Sequence, residues 1–193
     1  MKIIDIKQKY FKKIEKINLI LNAIKNIEDD KDITDIFSNK IFYNLISEYS
    51  TQIKAPLSDK RLIKYFNLIP VSAKENRGDA KDKENLYYEF KTSFTNKGNN
   101  LNIRQIRLWQ NIDYYYCFFI NEDDVSQSLF FKLSHQEMKK EVELCGSATH
   151  GTKKANINND NIEYSITVPV YNLQNEKTIR WRKNYLQGGK LWD

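Results

Sequence analysis

The stretch Leu86-Tyr87-Tyr88-Glu89-Phe90-Lys91-Thr92 is dominated by aromatic and β-branched residues, a composition that suits a pleated, half-buried strand. Successive side chains of a strand alternate between faces, so Glu89 and Lys91 point together while Phe90 faces the core on the other side. Upstream, Asp79 follows Gly78 and is separated from the strand by the polar cluster Lys81 to Asn85. A hairpin at that cluster would return Asp79 beside Glu89 and let the two carboxylates share one metal ion.

Downstream of this strand, a polar, Gly-containing gap (Asn96 to Asn100) leads into Ile103 to Trp109. Tyr114 to Ile120 reads as a fully buried strand and Ser128 to Leu133 as a further one. Ser134-His135-Gln136-Glu137 matches the capping box and predicts a helix to about Cys145. Gly146 to Asn161 is small, polar and basic, hence a loop. Ile162 to Val168 has a strand pattern, and Thr178 to Leu186 reads as short strand or helix.

The first 70 residues read as almost wholly helical. Tyr10, Ile14, Ile17, Leu21 and Ile24 form one apolar stripe of a long helix, which could pack on its own domain or on a second subunit. A second helical pattern lies around Ile36 to Tyr49. Pro56 should break the chain before a short helix, Asp59 to Phe66, that ends ahead of Pro70. The expected architecture is one domain over 1–193, helical to residue 70 and sheet-containing from 71 to 193. Its class is α/β or α+β, with a central mixed β-sheet flanked by helices and further helices between its strands.

Composition narrows the partners. The chain is 40% hydrophobic and 29% charged with only 6 Gly and 3 Pro, so it can build a core rather than remain disordered. Its formal net charge of +6 favours polyanions such as nucleic acid or an anionic membrane surface. The longest apolar run, Tyr114 to Ile120, is far shorter than the roughly 20 residues a spanning helix needs. The N-terminus alternates Ile with Lys and Asp and lacks the apolar core of a signal peptide. Cys117 and Cys145 form no close-spaced metal pair, which suits a reduced, cytoplasmic compartment. His135 and His150 are too few for a clustered histidine–metal site, and neither a P-loop nor a dinucleotide fingerprint is present.

An acidic residue two before a lysine occurs at Asp5, Asp29, Asp79, Glu89 and Glu137, so the spacing alone carries no weight. Context separates the copies. Those at Asp5, Asp29 and Glu137 fall in helical or polar segments, where residues two apart diverge. Asp79 with Lys81 sits in the turn. Only Glu89-Phe90-Lys91 lies in a strand shortly after a Gly-Asp pair, although an ordinary exposed ion pair would leave the same trace. Carboxylates that hold Mg²⁺ beside a lysine that orients a water are the groups phosphodiester hydrolysis requires.

Arg77-Gly78-Asp79 followed by Tyr88-Glu89-Phe90-Lys91-Thr92-Ser93 resembles the active-site hairpin of the PD-(D/E)XK nuclease superfamily, type II restriction endonucleases above all. Ile103-Arg104-Gln105-Ile106-Arg107-Leu108-Trp109-Gln110, leading into Asp113-Tyr114-Tyr115, is similar to a segment of such enzymes, so the likeness covers roughly Arg77 to Ile120. It departs in having Gly78 rather than Pro before Asp79. The resemblance implies a restriction-endonuclease-like mixed sheet, Mg²⁺ dependence and a homodimer that cuts a short palindromic site in double-stranded DNA. Asp79 and Glu89 would bind the metal and Lys91 would position the attacking water. It further implies an additional acidic residue from an earlier helix, for which Glu48 is the first candidate and Glu75 the second. A partner methyltransferase that protects the host belongs to the same expectation.

Arg104, Gln105 and Arg107 read equally as DNA contacts, because Arg forks onto guanine or phosphate and Gln onto adenine, and as the basic, solvated face of a helix. The loop from Ser147 to Asn156 offers His150, Thr152, Lys153, Lys154 and Asn156, a mixture that suits phosphate clamping and base-edge contact and equally an ordinary surface loop. Arg180 and Arg182 bracket Trp181 and could line a backbone-binding strand or merely an amphipathic edge. Other readings stay open: a repair or junction-resolving nuclease, a non-catalytic DNA-binding protein, and an interaction module organised by the N-terminal helix.

Overall fold

The computed structural model describes residues 51–72, 75, 77–95, 97–124, 127–149 and 162–187. The apolar stripe from Tyr10 to Ile24, the helical pattern around Ile36 to Tyr49, and Glu48 lie outside the described residues. Helix α1 spans Thr51–Tyr65, followed by the short strands β1 (Ile69–Pro70) and β2 (Ala80–Lys81). The longer strands are β3 (Tyr87–Phe94), β4 (Asn100–Ile106), β5 (Tyr114–Ile120) and β6 (Leu129–Ser134). Helix α2 (His135–Cys145), strands β7 (Ser147–Thr149) and β8 (Glu163–Pro169), and helix α3 (Glu176–Asn184) complete the chain order.

The fold is α+β with a mixed five-stranded sheet in the order β1-β2-β3-β5-β6. β3 and β5 run parallel, from Tyr88↔Tyr114 to Phe94↔Ile120, and the other neighbours in this sheet are antiparallel. A parallel pair needs a crossover, usually a helix. Here β4 makes the crossing and joins β8 and β7 in a separate antiparallel sheet. The expected helices between strands therefore reduce, among the described residues, to α2 between β6 and β7.

Alternation along β5 divides the interior. Tyr115, Cys117 and Phe119 face a core shared with Leu101, Ile103 and Ile106 of β4, Val168 of β8, Val142 of α2 and Trp181 of α3. Tyr116, Phe118 and Ile120 face a second core with Phe90, Phe94, Phe130 and Leu62 of α1. The rings of Phe118 and Phe130 stack with centroids 4.5 Å apart. The five-stranded sheet is thus covered on one side by α1 and on the other by the small sheet with α2 and α3. Near-continuous apolar runs such as β5 are what burial on both faces demands.

Pro56 lies inside α1 rather than ahead of it. Proline removes one backbone donor, yet the helix continues to Tyr65 and packs Leu62 and Ile63 on the sheet. The capping box at Ser134 forms as read: Ser134 accepts from the Glu137 amide, and Glu137 accepts from the Ser134 amide at 2.7 Å. Ser147–Thr149, read as loop, is a strand instead, paired from Ser147↔Ser165 to Thr149↔Glu163. Thr178 to Leu186, read as strand or helix, falls mostly in α3, which Asn175 caps by accepting the Lys177 and Thr178 amides.

Helices α2 and α3 are joined through Glu141, fully buried at 0% exposure. Its carboxylate accepts from Arg180 Nε at 2.8 Å and Nη2 at 2.7 Å, from Trp181 Nε1 at 2.8 Å, and from the Tyr185 hydroxyl at 3.0 Å. Burial pushes this carboxyl up, but those donors outweigh it and hold it below the ordinary glutamate range.

Candidate active site

β2 pairs with β3 for only two residues, Ala80↔Tyr88 and Lys81↔Tyr87. The turn between them is built by Asp82, whose Oδ1 accepts the amides of Glu84 and Leu86, each at 2.9 Å. Asn85 takes the left-handed conformation that the reversal needs. Asp79 donates its own amide to the Tyr88 carbonyl at 2.8 Å, and its Oδ2 accepts the Phe90 amide at 2.8 Å. The hairpin therefore brings Asp79 alongside β3 where its pairing with β2 ends.

Gly78 is what permits this approach. Its φ is +65°, and a Cβ there would lie 2.6 Å from the Tyr88 carbonyl oxygen. Proline, fixed near φ −65°, could not adopt that backbone. Glycine at this position thus has a local steric reason.

On β3, Lys91 Nζ donates to Glu89 Oε1 at 2.5 Å, with both side chains largely enclosed. The ammonium also reaches the Gln105 carbonyl at 3.4 Å. Phe90 packs in the opposite core with Leu62, as strand alternation requires. Burial, and then the negative charge of Glu89, push the Asp79 carboxyl up to about 6. The Phe90 amide, Lys91 and Arg107 pull the other way.

A further carboxylate enters from α1. Asp59 accepts from the Thr92 hydroxyl at 3.4 Å. Burial, and then the charge of Asp79, push its carboxyl up to about 8, with Glu89 adding to the rise and Lys91 opposing it. Sequence reasoning missed this residue and named Glu48 and Glu75. Glu48 lies outside the described residues, and Glu75 is exposed. The available signal was periodic: Asp59, Leu62, Ile63 and Phe66 share one helical face, so a carboxylate sits on the stripe that packs on the sheet.

Asp59, Asp79 and Glu89 lie within electrostatic reach of one another, and burial with mutual repulsion raises the carboxyls of Asp59 and Asp79, a cost that a divalent cation would relieve by displacing their protons. Among the described residues no three His, Cys, Asp or Glu side chains are gathered tightly enough to hold an ion by themselves. Mg²⁺ ordinarily takes one or two protein carboxylates and completes its shell with waters and substrate phosphate oxygens. The donor set fits that cation.

The expected DNA-contacting residues separate into three groups. Arg104 and Gln105 are exposed on β4, and Arg107 Nε donates to Glu163 at 2.8 Å while acting on Asp79. Arg180 is engaged with Glu141, and Arg182 Nε donates to the Val170 carbonyl at 3.0 Å. Both lie in α3, a helix rather than a strand, and both are engaged by partners outside it. His150, Thr152, Lys153, Lys154 and Asn156 lie outside the described residues. No helix among the described residues is long and apolar enough to cross a membrane. No family model matches the chain, and no curated protein matches it.

Proposed function

We propose that this chain is a Mg²⁺-dependent endonuclease of the PD-(D/E)XK kind, resembling type II restriction endonucleases, that hydrolyses double-stranded DNA at a specific sequence. The observation that carries the proposal is the meeting of Asp79 with Glu89 and Lys91 where β2 leaves β3. Asp79 and Glu89 hold the cation, and Asp59 takes the part expected of an acid from an earlier helix. The bound ion supplies charge neutralisation at the phosphate and a more acidic water. Lys91, oriented by Glu89 and the Gln105 carbonyl, positions the attacking water beside the phosphorus. The water oxygen forms the new P–O bond as one P–O bond to sugar breaks; of the water's two protons, one ends on the leaving oxygen and the other stays on the new phosphate until solvent takes it. The Phe90 amide fixes the Asp79 carboxylate, so the site is ordered before DNA arrives.

The positive net charge supports a DNA partner. The proposed working form is a cytoplasmic homodimer, whose two-fold axis would set one site on each strand of a palindrome. Incubation with plasmid and phage DNA, in Mg²⁺ and in EDTA, tests the reading. Discrete fragments that require Mg²⁺ are expected. Smeared products would favour a repair or structure-selective nuclease, and DNA binding without any cutting would sink the catalytic reading.

A further inference from the structure

Strand β4 is irregular beside the candidate site. Between the pairs Ile103↔Ile166 and Ile106↔Tyr164, β4 advances three residues while β8 moves two, so β4 carries one extra residue. Gln105 absorbs the bulge with φ +55°, in the left-handed region. A non-glycine residue there costs about 1 kcal/mol or more and persists only where its surroundings impose it. In a regular strand Arg104 and Gln105 would face opposite sides. The bulge leaves both exposed while Ile103 and Ile106 are both fully buried at 0% exposure. It also turns the Gln105 carbonyl to within 3.4 Å of Lys91 Nζ.

We infer that Arg104 and Gln105 form a base-reading pair that contacts the edges of the base pairs flanking the scissile phosphate in duplex DNA; this rests on the nuclease reading. Arg and Gln can each donate to a phosphate oxygen, but such contacts carry no base preference. A guanidinium next to an amide is instead a hydrogen-bonding pair suited to guanine and adenine edges in the major groove. Two adjacent residues facing outward can meet neighbouring bases, as a regular strand would not allow. The carbonyl of the same Gln105 lies 3.4 Å from Lys91 Nζ, so the element that reads and the group that cuts are adjacent.

The test cleaves a pool of randomised duplexes in Mg²⁺ and sequences the ends produced by wild type, Arg104→Ala and Gln105→Gly. Gln105→Gly keeps the carbonyl beside Lys91 and suits the positive φ; Gln105→Asn is a second variant that tolerates that backbone. Each variant should lose about 10- to 100-fold of base preference at one or two positions adjoining the cut. The cut position and the Mg²⁺ requirement should be retained. Unchanged preference in folded variants, with a uniform loss of rate over all sequences, would make these residues phosphate contacts and overturn the inference. If wild type cuts no duplex at all, the nuclease reading itself fails and this inference falls with it.

Discussion

The carboxylate of Asp79 accepts the backbone amide of Phe90 at 2.8 Å, one residue along β3 from Glu89. A hydrogen bond to the side chain thus continues the ladder past the last β2 pair, and the proposed metal site and the strand edge depend on the same carboxylate. Asp79→Asn keeps an acceptor for the Phe90 amide and should fold with near-wild-type stability while losing cleavage. Asp79→Ala should lose cleavage and, in addition, about 1–2 kcal/mol of stability from the unsatisfied amide. Urea unfolding alongside plasmid cleavage separates the two effects.

Gly78 is constrained by the Tyr88 carbonyl that its missing Cβ would meet. Gly78→Ala should destabilise the protein by about 1–3 kcal/mol and reduce cleavage by displacing Asp79. Gly78→Pro, despite matching the more common residue of the nuclease hairpin, should be worse still. Thermal unfolding and cleavage of the two variants check this order.

Asp59 and Asp79 carry carboxyls raised to about 8 and about 6, above their unfolded value of about 3.9. Groups raised in this way retain their full contribution below the unfolded value and lose it as pH climbs through the folded values. Without metal, stability should therefore fall between pH 5 and pH 8 as a consequence of these two groups. A bound cation displaces their protons, so Mg²⁺ should raise Tm more at pH 8 than at pH 5. Allowing for solvent screening, the difference should be about 3 °C, the shift for about 1 kcal/mol in a domain of this size. Asp59→Asn should flatten the pH dependence, which scanning calorimetry with and without EDTA would reveal.

Glu141 ties α2 to α3 through Arg180, Trp181 and Tyr185. Its carboxyl is held low in the folded state, so its contribution is present above the unfolded glutamate value of about 4.3 and disappears as pH falls through the folded value. Glu141→Ala should cost about 2 kcal/mol or more, because it strands the buried Trp181 and Tyr185 donors beside a half-buried guanidinium. The cost should shrink in acid. Denaturant titrations of wild type and variant at pH 7 and pH 3 would measure both.

Much of the sheet was legible because its signals are local. Tyr114 to Ile120 is apolar on both faces, and that is the strand observed, parallel to β3. Ser134 and Glu137 define their helix start by chemistry within one turn. Asp79 and Glu89 were legible as a pair because the polar cluster between them dictates a reversal. Asp59 was not, because Pro56 suggested a break and its carboxylate meets the site only through packing of α1 on β3. Ser147–Thr149 is too short and too polar to announce a strand, and β8 supplies its pairing. The bulge at Gln105 likewise arises from register with β8, a partner far along the chain.

Single-turnover cleavage of supercoiled plasmid in Mg²⁺ by wild type and Glu89→Gln, with DNA binding measured on both, tests the central claim most directly. Glu89→Gln replaces one oxygen of the carboxylate with an amide and removes its charge, with almost no change in shape. The expected result is wild-type cutting that EDTA abolishes, and a variant at least about 100-fold slower that still binds DNA. Equal rates in the two proteins, or cutting that persists in EDTA, would contradict a metal site built on Glu89.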